Sequence, residues 1–357
     1  MSKHFSKKLV GVLLLVIVTG LLAGCYPDHP QSTFDAHGPV AESQLNLFYL
    51  IFGVAALVFV IVEGILLFTA FRFRRKPGDG DPYQNHGNTP LELSWTALPV
   101  VLLAIVAVPT IQTIFDNANS PLTPEQGGMV IDAVGVQWWF EFRYQDPTDP
   151  SRTIITANEM HIPQGEVVNV NLRSRDVIHS FWIPKIAGKV DMVPNNPNQM
   201  WIRADSPGVF LGQCAEFCGE SHALMRFRVV VHPTVEEFEQ WLINEGSPAE
   251  APRDPLAIRG QEIFEGDAQC WACHTVLGTD RARGRVGPSL THFASRTHIA
   301  AGLMENNQEN LRKWISHPGD VKPGNIMARD ARAYNDPEFQ LSEEEISALV
   351  RYLQTLR

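Results

Sequence analysis

The chain has 357 residues, of which 45% are hydrophobic and 19% are charged, and its formal net charge is -10. This length allows two or three domains. The negative charge is concentrated in residues 116–252, with 18 acidic and 9 basic side chains. Nucleic-acid binding needs a basic face, so this distribution excludes it. An acidic middle region suits a cationic protein partner, although it also serves solubility alone.

The first 24 residues have the pattern of a secretory signal. Three lysines precede an apolar run over Leu9–Leu22, and the small residues Ala23 and Gly24 stand before Cys25. A basic start, a short apolar core and small residues before the cleavage site define such signals. The cysteine at this position resembles a bacterial lipoprotein signal, which implies removal of residues 1–24 and lipidation of Cys25. An uncleaved helix with an incidental cysteine is the alternative.

Two further apolar segments predict a transmembrane hairpin over residues 44–116. Residues 45–71 contain one charge, Glu63, and residues 93–115 contain none. Each segment meets the length of about 20 apolar residues that a spanning helix needs. Four of the five residues 72–76 between them are basic, which places this loop in the cytoplasm. Residues 25–43 and everything after the hairpin are then on the outer face of a bacterial inner membrane.

A β-rich region follows and predicts a domain over residues 117–245. Short segments rich in β-branched and aromatic residues alternate with Pro, Gly, Asn and Asp, which favours a sandwich or a barrel. The predicted strands cover residues 129–136, 153–162, 166–172, 199–204 and 225–231. Thr234 and Glu237 resemble a capping box that begins a helix through Ile243.

The last part of the chain is predicted to be helical. Residues 246–253 contain Gly, Ser and Pro and predict a linker. In residues 254–357 we expect a first helix at 255–264 and a last helix through Leu356, capped by Ser342 and Glu345. The predicted fold class is therefore multi-domain: a two-helix transmembrane hairpin, an all-β domain and an all-α domain.

The sequence C-W-A-C-H at residues 270–274 is the most specific motif. It lets the thiols of Cys270 and Cys273 bond to the vinyl groups of haem c while His274 reaches the iron. A redox-active dithiol or half of a zinc site is the alternative. A methionine as the sixth ligand raises the reduction potential, and Met327 and Met304 are the candidates.

A second cluster has the composition of a copper site. Cys214 and Cys218 are followed by His222 and Met225, and thiolate, imidazole and thioether ligands suit copper. A second thiolate can bridge a second copper, and His179 is the expected upstream imidazole. The alternatives are a disulfide with bystander histidine and methionine, and a buried strand histidine at position 179. With a chemical use for every cysteine, we expect no disulfide.

These motifs lie in two regions that resemble known families. Residues 40–235 resemble subunit II of cytochrome c oxidase, which implies a cupredoxin sandwich with the binuclear copper centre CuA. Residues 254–357 resemble class I cytochrome c, and the fusion resembles the caa-type oxidases of bacteria. The residues that match the side-chain ligands of CuA are His179, Cys214, Cys218, His222 and Met225.

The first resemblance implies further roles. Glu216 matches a residue that gives its backbone carbonyl to copper and whose side chain reaches a magnesium ion at the boundary with subunit I, near which Asp191 also falls. Trp138 matches the tryptophan where electrons enter. Glu92 matches a glutamate near the entrance of a proton path into subunit I, although an interfacial carboxylate is the alternative.

The second resemblance concerns the haem region. It favours Met327 over Met304 as the iron ligand, and Ala328 stands where a proline is common, which affects the expected loop shape only. The residues that match the proximal segment and the two packed terminal helices of the family are Gly287, Pro288, Gly260, Phe264 and Tyr352.

Together the resemblances imply a one-electron relay within a proton-pumping oxidase. Haem c is expected to take electrons from an upstream cytochrome c or cytochrome bc complex and to pass them to CuA. Subunit I, with haem a, then reduces oxygen to water, and subunit III completes the assembly. This chain has too few spans and histidines for the oxygen-reducing site, so no catalytic residue is expected in it.

Three other classes of protein are alternatives. A quinol oxidase subunit II lacks the copper ligands, whereas Cys214 and Cys218 are present here. A nitrous oxide reductase adds a large propeller domain, for which 357 residues leave no room. A free membrane-anchored lipoprotein electron carrier needs only its lipid, and two spans with Glu92 argue for partner helices instead.

Overall fold

The computed structural model describes residues 29–357 and, before them, the helical residues 11–13, 15–17 and 19–20. The predicted cleavage site and Cys25 lie outside the described residues. Helix α1 spans Pro39–Arg72 and helix α2 spans Thr89–Ala118. Both are long and apolar enough to cross a membrane. Both helices extend beyond the predicted apolar runs into more polar turns. The Asn88 side chain caps α2 by accepting a hydrogen bond from the Leu91 amide at 3.3 Å.

The start of α1 is attached to the β-domain. The His37 amide donates to the Lys185 carbonyl at 2.6 Å, and the Ala41 amide donates to the Ile186 carbonyl at 3.3 Å. Lys185 also pairs with Asp35. The outer end of the hairpin therefore lies directly against the domain that follows it.

The β-domain is a sandwich of two five-stranded sheets, with strand orders β3-β2-β1-β5-β8 and β4-β10-β9-β6-β7. The pairs β1–β5 and β4–β10 are parallel and the other pairs are antiparallel. The strands are β1 Met129–Val136, β2 Trp139–Gln145, β3 Thr153–Ala157, β4 Glu159–Pro163, β5 Val168–Ser174, β6 His179–Trp182, β7 Lys189–Met192, β8 Asn198–Ile202, β9 Gly208–Cys214 and β10 Arg226–His232.

Aromatic side chains from both sheets fill the core. Phe140 of β2 contacts Phe227 of β10, with ring centroids 4.7 Å apart, and Phe227 stacks on Phe181 of β6 at 4.6 Å. Helix α3, Val235–Glu245, begins at the predicted cap, where the Thr234 hydroxyl accepts from the Glu237 amide at 3.2 Å. The predicted sandwich is confirmed.

Two details differ from the predicted strands. The segment 153–162 is divided at Asn158, whose φ of 61° is left-handed, so that β3 and β4 enter different sheets. Strands β2, β6, β7 and β9 were not predicted. In β2 a local signal was present, because Phe140, Phe142 and Tyr144 alternate with polar residues. The four-residue strands β6 and β7 carry no such signal and are extended because β6 pairs with β7 and with β9.

The C-terminal domain is helical apart from a small two-stranded sheet. Helices α4 and α10 cross closely, since a Cβ atom on Gly260 would lie 2.1 Å from the Ala348 carbonyl oxygen. The last helix ends at Leu353, before the predicted Leu356. The elements are α4 Pro255–Glu265, α5 Cys270–Cys273, β11 His298–Ile299, β12 Met304–Glu305, α6 Gln308–Ser316, α7 Pro318–Val321, α8 Ile326–Asp330, α9 Arg332–Asn335 and α10 Glu343–Leu353.

The first part of the predicted linker forms hydrogen bonds with both domains. The Gly246 carbonyl accepts from the Arg152 guanidinium of the sandwich. The Ser247 carbonyl lies 2.9 Å from the His292 ring nitrogen Nε2, and the Ala249 amide donates to the Leu277 carbonyl at 3.0 Å. The segment therefore packs on both domains, whereas its composition alone predicts only a tether.

Candidate metal centres

The five predicted copper-ligand side chains come from two places in one sheet. His179 is the first residue of β6, and Cys214 is the last residue of β9. Cys218, His222 and Met225 lie in the loop between β9 and β10, and the Cys214 amide closes this loop by donating to the Met225 carbonyl at 2.9 Å. Because β6 pairs with β9, the histidine from upstream reaches the cysteine loop.

The ligand atoms converge on one buried point. The Sγ atoms of Cys214 and Cys218 are 3.7 Å apart, and His179 Nδ1 lies 3.8 Å from the Cys214 sulfur. The Cys218 sulfur lies 3.5 Å from His222 Nδ1 and 3.8 Å from the Met225 sulfur. The two facing sulfurs have His179 beside Cys214, and His222 and Met225 beside Cys218. This donor set fits two copper ions bridged by thiolates.

The sulfur separation also bears on a disulfide. A disulfide bond is about 2.05 Å long, so the 3.7 Å gap leaves Cys214 and Cys218 as free thiols. The hydrogen bond from Cys218 and the nearby His179 imidazole lower the pKa of the Cys214 thiol, and the Cys214 sulfur raises the pKa of Cys218. Metal binding needs both sulfurs as thiolates and is therefore coupled to proton release.

Asp176 orients the upstream histidine. Its Oδ1 atom lies 2.8 Å from His179 Nε2, which leaves Nδ1 free to face the cysteines. Burial lowers the pKa of His179, but the hydrogen bonds and charges of Asp176 and Cys214 together raise it above its ordinary value. A carboxylate behind a ligating histidine fixes the ring orientation and its tautomer.

Glu216 takes part through its backbone. Its carbonyl oxygen lies 3.2 Å from the Cys214 sulfur, at the edge of the ligand cluster. Its side chain is exposed, as is that of Asp191 on β7. The carboxylates are thus on the surface of the sandwich, while the carbonyl faces the buried cluster.

Gln137 and Trp138 support the cysteine loop. The Trp138 indole nitrogen donates to the Cys218 carbonyl at 3.0 Å, and the Gln137 side-chain amide donates to the same oxygen at 2.7 Å. The Gln137 backbone amide donates to Asp176 Oδ2 at 2.7 Å. The turn between β1 and β2 therefore contacts both the loop and the carboxylate behind His179.

The haem motif lines an apolar cavity of about 430 Å³. Cys270, Cys273, His274 and Met327 all reach it, whereas Met304 is absent from its lining and pairs with Ile299 in the small sheet. His274 Nδ1 lies 2.8 Å from the Pro288 carbonyl, so Nε2 is free for iron. Burial lowers the pKa of His274, which favours the neutral ring that binds metal.

A buried cation supports the fit of this cavity to a haem. The Nε atom of Arg296 is buried without a hydrogen-bond partner among the described residues, and Arg296 lines the cavity. A buried guanidinium N–H without an acceptor is costly, and a haem propionate would supply an acceptor for Nε. The covalent, axial and polar groups that a c-type haem requires are therefore present together.

Glu92 belongs to neither cluster. It lies in the first turn of α2, and its Oε1 atom accepts from the Asn88 amide at 3.2 Å. In this chain the carboxylate contributes to the cap of the helix. This local contact accounts for its position without reference to a partner.

Three residues near the two clusters were not predicted. Asp176 stands three residues before His179. A ligating histidine usually donates its other ring N–H to a carboxylate or carbonyl, and this rule could have identified Asp176 from the sequence. Arg296 and Lys322 carry no motif signal. They approach the clusters only through tertiary packing.

Comparisons with known proteins cover the same three regions. Residues 29–113 match the family described as cytochrome C oxidase subunit II, transmembrane domain. Residues 147–232 match the periplasmic domain of the same subunit. Residues 257–357 match cytochrome c.

Whole-length relatives combine these regions. Cytochrome c oxidase subunit 2 of Alkalihalophilus pseudofirmus is 40% identical over 348 residues, covering 97% of this chain and 96% of the relative. Cytochrome c oxidase subunit 2 of Bacillus sp. strain PS3 is 39% identical, covering 94% of each chain. That of Bacillus subtilis is 34% identical, covering 97% of each chain.

Proposed function

Since this chain belongs to the cytochrome c oxidase subunit 2 family, we propose that it delivers electrons within a haem–copper oxidase from a covalently bound haem c to a CuA centre. The observation that carries the proposal is the presence of two complete ligand sets in one chain. One set has paired thiolates at 3.7 Å, and the other has a C-x-x-C-H motif whose cavity also holds Met327.

The chain's residues divide the work at the copper cluster. Cys214 and Cys218 would supply the thiolates that hold the copper pair, and His179, His222, Met225 and the Glu216 carbonyl would be the remaining ligands. Asp176 keeps the His179 ring in place through its 2.8 Å contact. Of the proposed ligands, His179, Cys214, Cys218 and Met225 are buried, which would limit the access of water to the metals. When bound, the copper pair supplies one-electron redox chemistry with charge shared over both sulfurs.

The haem site is organised in the same way. Cys270 and Cys273 would hold a haem covalently, while His274, oriented by the Pro288 carbonyl, and Met327 would be the iron ligands. Arg296 is placed for a propionate. The apolar lining of the cavity limits solvent access, which together with the methionine raises the reduction potential.

The chain is a membrane-anchored subunit that works with other oxidase subunits. We propose subunit I, with its haem a and oxygen-reducing site, as the electron acceptor, and subunit III as a further partner. An upstream cytochrome c or cytochrome bc complex is the proposed donor. The site of oxygen reduction then lies outside this chain, whose own role is electron delivery.

Four finer features belong to the same proposal. Exposed Glu216 is suited to share a magnesium ion with subunit I, and Glu92 is suited to the entrance of a proton path. A cleaved signal over residues 1–24 and a lipid on Cys25 would add a second anchor in a bacterial inner membrane. With the redox domains on the outer face, the basic loop at 72–76 faces the cytoplasm.

Purification from the native membrane in mild detergent tests the proposal. We expect a large subunit with a-type haem spectra to co-purify with this chain, together with a c-type spectrum and a near-infrared copper band. A chain that is recovered alone, with only a c-type spectrum, contradicts the proposal and supports a free lipoprotein carrier. Two relatives whose alignments cover 97% of this chain are named as cytochrome c oxidase subunit 2, which does not favour that alternative.

A further inference from the structure

The indole ring of Trp138 lies between the copper loop and the haem domain. It is only 7% exposed. A Cβ atom on Gly219 would lie 3.1 Å from the indole Cζ2 atom, and one on Gly324 would lie 3.0 Å from Cη2. Gly324 also has a φ of 71°, so both its backbone and its close approach require glycine. The segment just before Met327 therefore covers the predicted electron entry.

Lys322 fixes this segment to Trp138. The side chain is 3% exposed, and its amine donates a hydrogen bond to the Trp138 carbonyl oxygen. Burial lowers the pKa of the amine to about 7, and a neutral amine still donates an N–H. A buried amine without an acceptor would be costly, so this contact specifies how the domains meet.

A second hydrogen bond joins the same two loops. The buried Ser221 hydroxyl donates to the Pro323 carbonyl at 2.6 Å. Ser221 adjoins the copper ligand His222, and Pro323 precedes Met327 by four residues. The ligand loops of the two metal sites are thus connected directly as well as through Trp138.

Further polar and apolar contacts join the two domains. The Glu159 carboxylate accepts from the backbone amides of Thr297 at 2.9 Å and His298 at 3.2 Å. Arg228 donates to the Gly302 carbonyl at 3.2 Å. Ala301 of the haem domain is buried in an apolar cluster with Trp139 of the sandwich. These contacts show that the haem domain is docked on the sandwich and is not merely connected to it by the linker.

We propose that Lys322 is a positioning residue that docks the haem domain on Trp138, so that an external donor reaches the copper pair only through the haem domain. The inference rests on the proposed function. In the step that it serves, one electron passes from ferrous haem to the oxidised copper pair. The iron is oxidised as the copper pair is reduced, and no bond or proton is transferred.

Lys322→Met in the whole oxidase tests this role, because it removes the amine and keeps an unbranched side chain of the remaining length. We expect hydrogen exchange in peptides covering residues 218–222 and 322–327 to accelerate about tenfold, the factor for one buried hydrogen bond. Haem-to-copper electron transfer should slow, while the methionine–iron and near-infrared copper bands persist. Lys313→Met, at an exposed position of the same domain, is the control and should change none of these.

Unchanged exchange and unchanged transfer in Lys322→Met, with both bands intact, would overturn the inference. Should Lys322→Met not bind its haem, the wild-type oxidase decides instead: slow exchange at residues 322–327 supports docking, and fast exchange overturns it. Loss of the copper and haem bands in the wild-type protein would contradict the proposed function itself, which keeps the two failures distinct.

Discussion

The indole nitrogen of Trp138 lies 3.0 Å from the carbonyl oxygen of Cys218, to which it donates a hydrogen bond. Trp138, the predicted point of electron entry, is therefore hydrogen-bonded to the backbone of a proposed copper ligand. Gln137 donates to the same oxygen at 2.7 Å. Two donors on one carbonyl hold the cysteine loop against the sandwich and define its geometry before metal binds.

Cys218→Ser should abolish the near-infrared copper band while the c-type haem spectrum remains. Cys218 lies within 3.8 Å of three other ligand atoms, and a hydroxyl cannot replace a bridging thiolate for soft copper. Absorption spectra and copper content measure the outcome. Ala223→Ser places the same residue at an exposed position of the same loop and should retain copper. Equal copper content in the two variants would refute the assignment.

Met327→Ala should remove the methionine–iron charge-transfer band and lower the reduction potential of the haem, because the thioether ligand raises it. Met304→Ala should leave both unchanged, since Met304 lies in β12 and does not line the haem cavity. Visible spectra and a redox titration of each variant provide the measurement. The reverse pattern would show that Met304 is the ligand.

Gly260→Ala should destabilise the haem domain by about 1–3 kcal/mol, the usual effect of overpacking. The added methyl would meet the Ala348 carbonyl at 2.1 Å, which outweighs the gain of up to about 1 kcal/mol in helix propensity. Gly319→Ala has 3.5 Å to its nearest neighbour and should be neutral or stabilising. Denaturant unfolding followed by haem absorption compares them, and equal stabilities would contradict the predicted close crossing.

Asp146→Asn should destabilise the sandwich at neutral pH and lose this effect in acid. The Thr148 hydroxyl and the Arg152 guanidinium hold the pKa of Asp146 at about 2, below the ordinary value of about 3.9. The carboxylate therefore stabilises the fold above about pH 4, and this contribution disappears as the pH falls through about 2. The unfolding free energies of wild type and variant, measured against pH, should converge as the pH falls towards about 2. Parallel curves would show that ionisation of Asp146 is not linked to stability.

The chemistry of this chain was more predictable than its packing. Apolar runs of about 20 residues and the cysteine spacings are local signals, so the hairpin and the ligand loops followed from the sequence. Strands such as β6, only four residues long, are defined by their partners and were missed. Asn158 divided one predicted strand because a single left-handed residue redirects the chain into the other sheet.

Contacts between the domains were beyond local reasoning. Lys322 and Trp138 are 184 residues apart, and neither carries a signal for the other. The composition of residues 246–253 predicted a flexible tether. Composition indicates how flexible the unfolded segment is, but it does not reveal the hydrogen bonds that His292 and Arg152 form with this segment in the folded protein. The docked arrangement therefore emerged only from the three-dimensional structure.

The order of reduction in the purified, fully oxidised complex tests the central claim most directly. Rapid mixing with a reduced donor cytochrome should reduce the c-type haem first, then change the near-infrared copper band, and then reduce the a-type haem. Multiwavelength stopped-flow absorption resolves these three signals. Reduction of the a-type haem before the c-type haem, or without any change in the copper band, would contradict the proposed relay.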